Sequence, residues 1–167
     1  SYHHPRTPMR QMFVAQNIIQ LNITMQNLTE AKALLKKAIE QGLRDEQLKA
    51  AVPDLYRLQA SIEAEENNYP AAEQTLRQAL DLASRFPGLD TFLLQNNLGD
   101  AQLKQRKLVE ASASFDKAYQ IAKRNNFRPG IATAQFNKGY ALLLHGEQQA
   151  GVSLMAQMVE MAEQDQT

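Results

Sequence analysis

The sequence contains no cysteine and no tryptophan, and its charges cancel: Lys and Arg number 18, as do Asp and Glu. Without cysteine there are no disulfides, thiolate chemistry or cysteine-based metal sites. Balanced charge without a basic block gives no indication of binding to nucleic acid or to an anionic membrane. No apolar run approaches the roughly 20 residues that span a bilayer. No P-loop, nucleophile elbow or His–Glu metal motif is present either. The sequence therefore predicts a protein that is not an enzyme and has no metal or cofactor.

What the sequence does contain is a pattern that returns four times. Four columns carry it: Ile19, Ala60, Gly99 and Gly139; Ala31, Ala72, Ala111 and Gly151; Leu35, Leu76, Phe115 and Met155; Ala38, Ala79, Ala118 and Met158. Successive members of a column are 41, 39 and 40 residues apart. A period of this length is typical of stacked repeat proteins, because a single unit cannot bury its apolar face alone.

Each unit is predicted to form two helices, since its apolar residues recur at i, i+3, i+4 and i+7 and no segment alternates with period two. We expect a flexible lead-in over residues 1–8 and a single domain over 9–165, with repeats at about 9–45, 46–88, 89–130 and 131–165. The expected turns within repeats are Gln26-Asn27, Asn67-Asn68, Arg106-Lys107 and His145-Gly146. The second helix should fray near Gly42, and two further breaks are expected at Phe86–Gly88 and Asn126–Gly130.

The small columns predict close helix crossings. Gly99 and Gly139 should lie inside helices, where glycine costs about 1 kcal/mol relative to alanine, so a packing reason is expected. We expect them to face the second small column, represented by Ala111, while Phe115 and its equivalents fill the space between units.

The columns resemble the signature of the tetratricopeptide repeat. Asn97-Leu98-Gly99 with Ala111, Phe115 and Ala118 is the clearest copy, and Phe136-Asn137-Lys138-Gly139-Tyr140 is the second. The resemblance implies an all-α fold, a right-handed superhelical stack of four helix-turn-helix repeats with about eight antiparallel helices. Repeats near 40 residues, longer than the common 34, resemble those of bacterial regulators and sensors and of kinesin light chains. In such a stack the first helix of each repeat lines a concave groove.

Counting from the first small column, the groove should be lined by positions three before and one after it, together with an asparagine two before it. The residues are Gln16, Asn17, Gln20, Arg57, Ser61, Asn96, Asn97, Asp100, Phe136, Asn137 and Tyr140. Carboxamides donate and accept hydrogen bonds, so such a row can pair with the backbone of an extended peptide. Alternatively, the asparagines bond to neighbouring helix carbonyls and hold the stack together. A groove without a Lys and Arg cluster favours a helix or loop with an apolar anchor over an acidic C-terminal peptide.

Three other features allow more than one interpretation. His3-His4 lacks a third metal ligand, so a flexible lead-in is favoured. Glu63, Glu65 and Glu66 form an acidic cluster that is read as a solvated face rather than as general acids. His145 at a predicted helix C-terminus suits the helix dipole better than catalysis.

The last predicted helix carries an apolar stripe. Val152, Met155, Met158 and Val159 are candidates for an end-to-end interface. End repeats normally carry a polar cap, so the stripe indicates a truncated array, a homodimer through the C-terminal repeat, or a partner site.

Two functions remain open. The first is a protein- or peptide-binding module that acts as the sensory or regulatory domain of a larger bacterial signalling protein. The alternative is a free-standing adaptor or chaperone of an assembly or secretion system. In either case the sequence predicts a soluble protein of the bacterial cytoplasm or periplasm, without choosing between these compartments.

Overall fold

The computed structural model describes residues 7–165, and within that range it contains eight α-helices and no β-strand. The helices are α1 Pro8–Thr24, α2 Leu28–Arg44, α3 Val52–Glu65, α4 Tyr69–Ala83, α5 Phe92–Lys104, α6 Leu108–Arg124, α7 Arg128–Leu144 and α8 Gln148–Asp165, with a 3₁₀ turn at Lys49–Ala51. The predicted all-α fold with two helices per repeat is confirmed. The chain divides after Leu89 into two compact units, which contain α1–α4 and α5–α8.

The two helices of every repeat are joined by the same tight turn. Gln26, Asn67, Arg106 and Gly146 all have positive φ, between 59° and 95°. The next residue in each turn donates its N–H to the carbonyl five residues earlier, over 2.8–2.9 Å: Asn27 to Asn22, Asn68 to Glu63, Lys107 to Gln102 and Glu147 to Leu142. This bond belongs to the Schellman motif, which satisfies carbonyls left unpaired at a helix C-terminus. The turns fall where the sequence predicts them.

Two predicted helix boundaries are wrong. Helix α2 does not fray near Gly42 but continues to Arg44, because Gly42 is buried and a Cβ atom there would lie 2.6 Å from Val52 Cγ2. Pro129 and Gly130 do not lie outside a helix but in the first turn of α7, where the missing N–H of proline costs nothing.

The predicted lead-in over residues 1–8 can be compared with the structure only at its end. Pro8 already belongs to α1, and the Oγ1 atom of Thr7 accepts the N–H of Arg10 at 3.3 Å, which caps the helix. Thr7 and Pro8 therefore form the start of a helix. His3 and His4 lie outside the described residues.

The core of the first unit combines the predicted columns with residues from α1, α2 and α3. Ile19, Ala31, Leu35 and Ala38 belong to one buried cluster. Leu48, Leu55, Leu58 and Ile62 complete it from the loop and α3. One face of α3 therefore packs against α2. The side chains on the other faces of α3 are left for other contacts.

The core of the second unit shows why its repeats carry glycine. Phe115 is fully buried, and its ring lies 2.6 Å from the position that a Cβ atom at Gly99 would take. At the next crossing Gly139 and Gly151 face each other, and a Cβ at Gly151 would lie 2.6 Å from the Gly139 carbonyl oxygen. The predicted pairing of small residues is therefore confirmed for Gly139 and Gly151, while the three atoms nearest to a Cβ at Gly99 all belong to the Phe115 ring.

Candidate functional site

Polar side chains of α1 and α3 form a small network in the first unit. Arg57 Nε donates to Asp54 Oδ1 at 2.8 Å, and Gln16 Nε2 donates to Asp54 Oδ2 at 3.3 Å. Ser61 Oγ donates to the Arg57 carbonyl at 3.1 Å. Asp54 thus joins two predicted site residues on different helices, although the register from the first small column does not select it. Its position three residues before Arg57 was the available signal, since residues three apart share a helix face.

The remaining predicted residues of the first unit, Asn17 and Gln20, are exposed on α1. We call the surface of Gln16, Asn17, Gln20, Arg57 and Ser61 the α1–α3 face. It is polar, and the Arg57 side chain is only 19% exposed and already paired with Asp54. A partner that takes this arginine must replace that ion pair, so the face offers little unsatisfied charge.

In the second unit one hydrogen bond joins the predicted residues of α5 and α7. Asn137 Nδ2 donates to Asn96 Oδ1 at 3.1 Å, and both side chains are half-buried. Asn137 therefore forms a bond between two helices, as the alternative interpretation of the asparagines expects. Its acceptor is the side chain of Asn96 and not a helix carbonyl. We call the surface of Asn96, Asn97, Asp100, Phe136, Asn137 and Tyr140 the α5–α7 face.

Two aromatic side chains dominate the α5–α7 face. Phe136 and Tyr140 lie one turn apart on α7 and are 45% and 41% exposed. Leu93 on α5 is also exposed, and it precedes Asn96 and Asp100 by three and seven residues, so it shares their side of the helix. The count from the glycine column did not include Leu93. The face therefore combines apolar area with a few polar groups, as ligand sites commonly do.

Asp100 is the only acidic member of the α5–α7 face as we define it. Desolvation by the surrounding protein raises the pKa of its carboxyl group, and the positive charge of Lys104 one turn later partly opposes that rise. A cationic group of a partner would favour the ionised carboxylate. Asp100 can therefore select for a basic residue beside an apolar anchor.

A cleft of about 400 Å³ lies between α2 and α3 in the first unit. It is lined by Lys32, Leu35, Lys36, Ile39, Glu40, Gln59, Ile62 and Glu63. At the equivalent positions of the second unit, α6 has Phe115 where α2 has Leu35. Asp116 of α6 and Lys138 of α7 correspond to Lys36 of α2 and Gln59 of α3. Lys138 Nζ and Asp116 Oδ1 form an ion pair over 2.8 Å. The smaller Leu35 and the lack of this ion pair distinguish the α2–α3 crossing from the α6–α7 crossing.

The acidic cluster at the end of α3 has structural partners. Thr75 Oγ1 donates to Glu63 Oε1 at 2.6 Å, and Lys32 forms a salt bridge with Glu66. Burial raises the pKa of Glu63, the hydrogen bond from Thr75 lowers it, and the nearby charge of Glu66 raises it further. Within residues 7–165 no three acidic or histidine side chains are placed to hold a metal ion.

The predicted stripe on α8 is partly exposed. Val152 and Val159 are exposed, and Met155 and Met158 are half-buried. Met155 contacts the first small column, because its Cγ lies 2.9 Å from the position of a Cβ at Gly139. Met155 therefore packs within the repeat, Met158 is half-buried, and the two valines are exposed. None of the helices in the described range is both long enough and apolar enough to cross a membrane.

Comparisons with known proteins agree with this architecture. The model of the tetratricopeptide repeat family matches residues 51–124. The structure is similar to that of BtubC (BKLC) from P. vanneervenii, with a TM-score of 0.84 and 15% identity, over 95% of this chain and 66% of that one. It is also similar to a putative kinesin light chain with nearly identical repeats from Podospora anserina, with a TM-score of 0.74 and 14% identity, over 98% of this chain and 80% of that one.

No curated protein matches the chain in sequence. At these identities the two structures establish the fold alone, and the chain spans slightly less than two thirds of BtubC. Tetratricopeptide repeats generally mediate protein–protein interactions, and their fold is typically a scaffold without catalytic activity. Residues 51–124 therefore belong to the tetratricopeptide repeat family, within a chain whose fold is that of an all-α helical repeat protein.

Proposed function

We propose that this chain is a protein-binding module and that its α5–α7 face binds a short peptide or helix. The observation that carries the proposal is the exposure of Phe136 and Tyr140 on one side of α7, next to the hydrogen-bonded Asn96 and Asn137. Aromatic side chains contribute much of the binding energy at interfaces because they bury a large area with few rotatable bonds. The hydrogen bond between Asn137 and Asn96 holds these two polar side chains in place beside the aromatic residues.

The composition of the face indicates what it binds. An aliphatic or aromatic anchor of the partner would pack on Phe136 and Tyr140, and a Lys or Arg of the partner would pair with Asp100. The side-chain amide of Asn97 has an NH2 donor and a carbonyl acceptor that would pair with a peptide backbone. The α1–α3 face supports binding less directly, because Arg57 and Gln16 already pair with Asp54.

The test is selection of peptides from a random display library, followed by affinity measurements with soluble versions of the selected peptides. The double variant Phe136→Ala, Tyr140→Ala should weaken binding at least tenfold, and Asp100→Asn should weaken it when the peptide is basic. Val109→Ala is the matched control, because Val109 is a comparably exposed apolar residue on α6, outside the face. Equal binding by all variants at equal helicity would exclude the α5–α7 face as the site.

The finer assignment is also a proposal. We favour a sensory or regulatory domain of a larger bacterial signalling protein, because the long repeats resemble those of bacterial regulators and sensors. Binding of the selected peptide should then change the output of the parent protein. If the peptide binds at the α5–α7 face and leaves that output unchanged, a free-standing adaptor is the better description.

A further inference from the structure

The cleft between α2 and α3 in the first unit has no role in the proposed peptide binding. Its volume of about 400 Å³ lies within the range of roughly 300–1,000 Å³ that is common for small-molecule sites. Its floor is apolar: Leu35 and Ile62 are buried, and Ile39 is half-buried. Small-molecule sites usually combine an apolar floor with a few polar groups, so the polar groups at the edge decide what the cleft takes.

One lysine at the edge of the cleft departs from the pairing of charges in the next two repeats. The position that follows the third column of the repeat pattern is charged in three repeats, as Lys36, Arg77 and Asp116. Arg77 pairs with Glu73 over 2.8 Å, and Asp116 pairs with Lys138 over 2.8 Å. The Lys36 side chain forms no ion pair or hydrogen bond with any other residue in the range 7–165. Its ammonium group is therefore an unused donor beside an apolar floor.

Gln59 supplies a second donor, from the other helix of the cleft. It has on α3 the position that Lys138 has on α7, and it lines the same cleft as Lys36. Gln59 is half-buried, and its side chain has no hydrogen-bond partner within the described part of the chain. Its amide nitrogen can donate two hydrogen bonds. An acceptor between Lys36 and Gln59 would therefore satisfy both groups, as the carboxylate of Asp116 satisfies Lys138.

The acidic groups of the cleft do not reverse this preference for an acceptor. Glu63 Oε1 already accepts from Thr75 at 2.6 Å, and Glu40 is exposed, so water screens its charge. Burial raises the pKa of Glu63, which means that its surroundings disfavour negative charge. The charge of an anionic ligand therefore belongs beside Lys36 and Gln59, one helical turn from Glu63. A cationic ligand would instead be repelled by the unpaired charge of Lys36.

We infer that the cleft between α2 and α3 binds a small organic anion, a carboxylate on an apolar alkyl or aryl body. The carboxylate accepts hydrogen bonds from Lys36 Nζ and Gln59 Nε2. The apolar body packs on the floor of Leu35, Ile39 and Ile62. Binding here is independent of the α5–α7 face, because all the lining residues of the cleft lie in the first unit. The failure of one site would therefore leave the other untouched.

The experiment compares three probes that share one apolar body: phenylbutyrate, phenylbutanol and phenylbutylammonium. Each probe is titrated into the purified chain, and the backbone amide NMR signals give the dissociation constant and the residues affected. Phenylbutyrate should bind with a constant on the order of 1 mM, as expected of so small a molecule, and should shift the signals of α2 and α3. The alcohol should bind about two- to fivefold more weakly because it lacks the ion pair, and the amine should bind more weakly still.

Variants of the polar groups test the position of the carboxylate. Lys36→Gln should weaken phenylbutyrate binding about two- to fivefold and leave phenylbutanol binding unchanged. Lys37→Gln is the matched control, because it removes the same charge from an exposed neighbour that does not line the cleft. Glu63→Gln should strengthen phenylbutyrate binding, since it removes a like charge. Lys36→Asp combined with Gln59→Lys recreates the ion pair of the second unit and should abolish the preference for the acid.

The same measurements can overturn the inference, provided that all variants have equal helicity. Equal affinities for the acid and the alcohol would show that the charge has no role, and tighter binding of the amine would assign the cleft to a cation. Equal losses in Lys36→Gln and Lys37→Gln would reduce the effect to net charge. The peptide acetyl-Gly-Gly-Phe has the same carboxylate and ring, and binding more than tenfold tighter than that of phenylbutyrate would make a protein C-terminus the occupant instead.

Discussion

The ring of Phe115 occupies the space that a side chain at Gly99 would need: a Cβ atom there would lie 2.6 Å from both Cδ1 and Cε1 of the ring. The equivalent pair in the second repeat is Ala60 and Leu76, both buried. The second repeat thus has a larger residue than the third repeat at the position of Gly99, and a smaller residue at the position of Phe115. In the second and third repeats the two columns therefore share the space at the helix crossing, because protein interiors are close-packed. The first repeat, with buried Ile19 and Leu35, does not show this exchange.

The first prediction concerns this pair. Gly99→Ala should destabilise the protein by up to about 2 kcal/mol, the cost of overpacking of about 1–3 kcal/mol less the gain in helix propensity of about 1 kcal/mol. Adding Phe115→Leu recreates the pair of Ala60 and Leu76 and should recover part of the loss. Urea denaturation of the two single variants and the double variant gives the coupling energy, and additive losses would show that the two residues do not compete for space.

The second prediction concerns Ala111, which is fully buried in a cluster with Phe115 and Ala141. Ala111→Leu should cost about 1–3 kcal/mol because the added atoms have no room. Ala113→Leu, at an exposed position of the same helix, is the control and should change the free energy of unfolding by less than about 0.5 kcal/mol. Equal thermal midpoints for both variants would contradict the repeat register.

The third prediction concerns two buried acceptors. Gln95 Oε1 and Gln135 Oε1, which have the same register in successive repeats, are buried and have no hydrogen-bond partner among the described residues. An unsatisfied buried acceptor costs about 1–3 kcal/mol. Gln135→Met should therefore raise the thermal midpoint, since it keeps the length of the side chain and removes the acceptor. Gln157→Met on the exposed side of α8 should have no such effect, and a lower midpoint for Gln135→Met would indicate that a water satisfies the oxygen.

The fourth prediction is a pH dependence. Burial raises the pKa of Glu63 above its ordinary value of 4.5, so the folded protein binds this proton more tightly than the unfolded chain does. The contribution of Glu63 is favourable below the unfolded value and is lost as the pH rises through the raised folded value. Glu63→Gln, which can still accept from Thr75, should stabilise the protein at pH 7 but not at pH 3. Chemical denaturation at both pH values measures this, with exposed Glu30→Gln as control; a gain that is equal at pH 3 and pH 7 would assign the effect to something other than ionisation.

The fifth prediction separates the two roles of the asparagines. Asn137→Ala removes the donor to Asn96 and should cost about 0.5–1.5 kcal/mol. Asn97→Ala, one residue beyond the acceptor, should leave stability nearly unchanged but weaken peptide binding. Both measurements are needed, and an Asn97→Ala variant with full affinity would limit the binding site to the aromatic residues and Asp100.

Much of the fold follows from residue types at a fixed spacing. The helix pairs and their turns were predictable because burial at i, i+3, i+4 and i+7 and the residues of the turn are local properties. The start of α7 was not, since Pro129 and Gly130 suit a loop and a first helical turn equally well. The close approach of Phe115 to Gly99 was not predictable for a different reason: the columns show which residues are buried, but not which of several buried neighbours lies nearest.

The candidate site divides in the same way. Helical periodicity placed Phe136 and Tyr140 on one side of α7, and both are exposed there. It did not reveal the bonds of Asp54 to Arg57 and Gln16, the bond of Asn137 to Asn96, or the cleft between α2 and α3. By itself the sequence determined the period, the helix pairs and the faces that must be buried, because these depend on the angle between successive side chains. Only the tertiary structure decided which side chains meet and which stay exposed, because that depends on the distance and rotation between helices that are far apart in the chain.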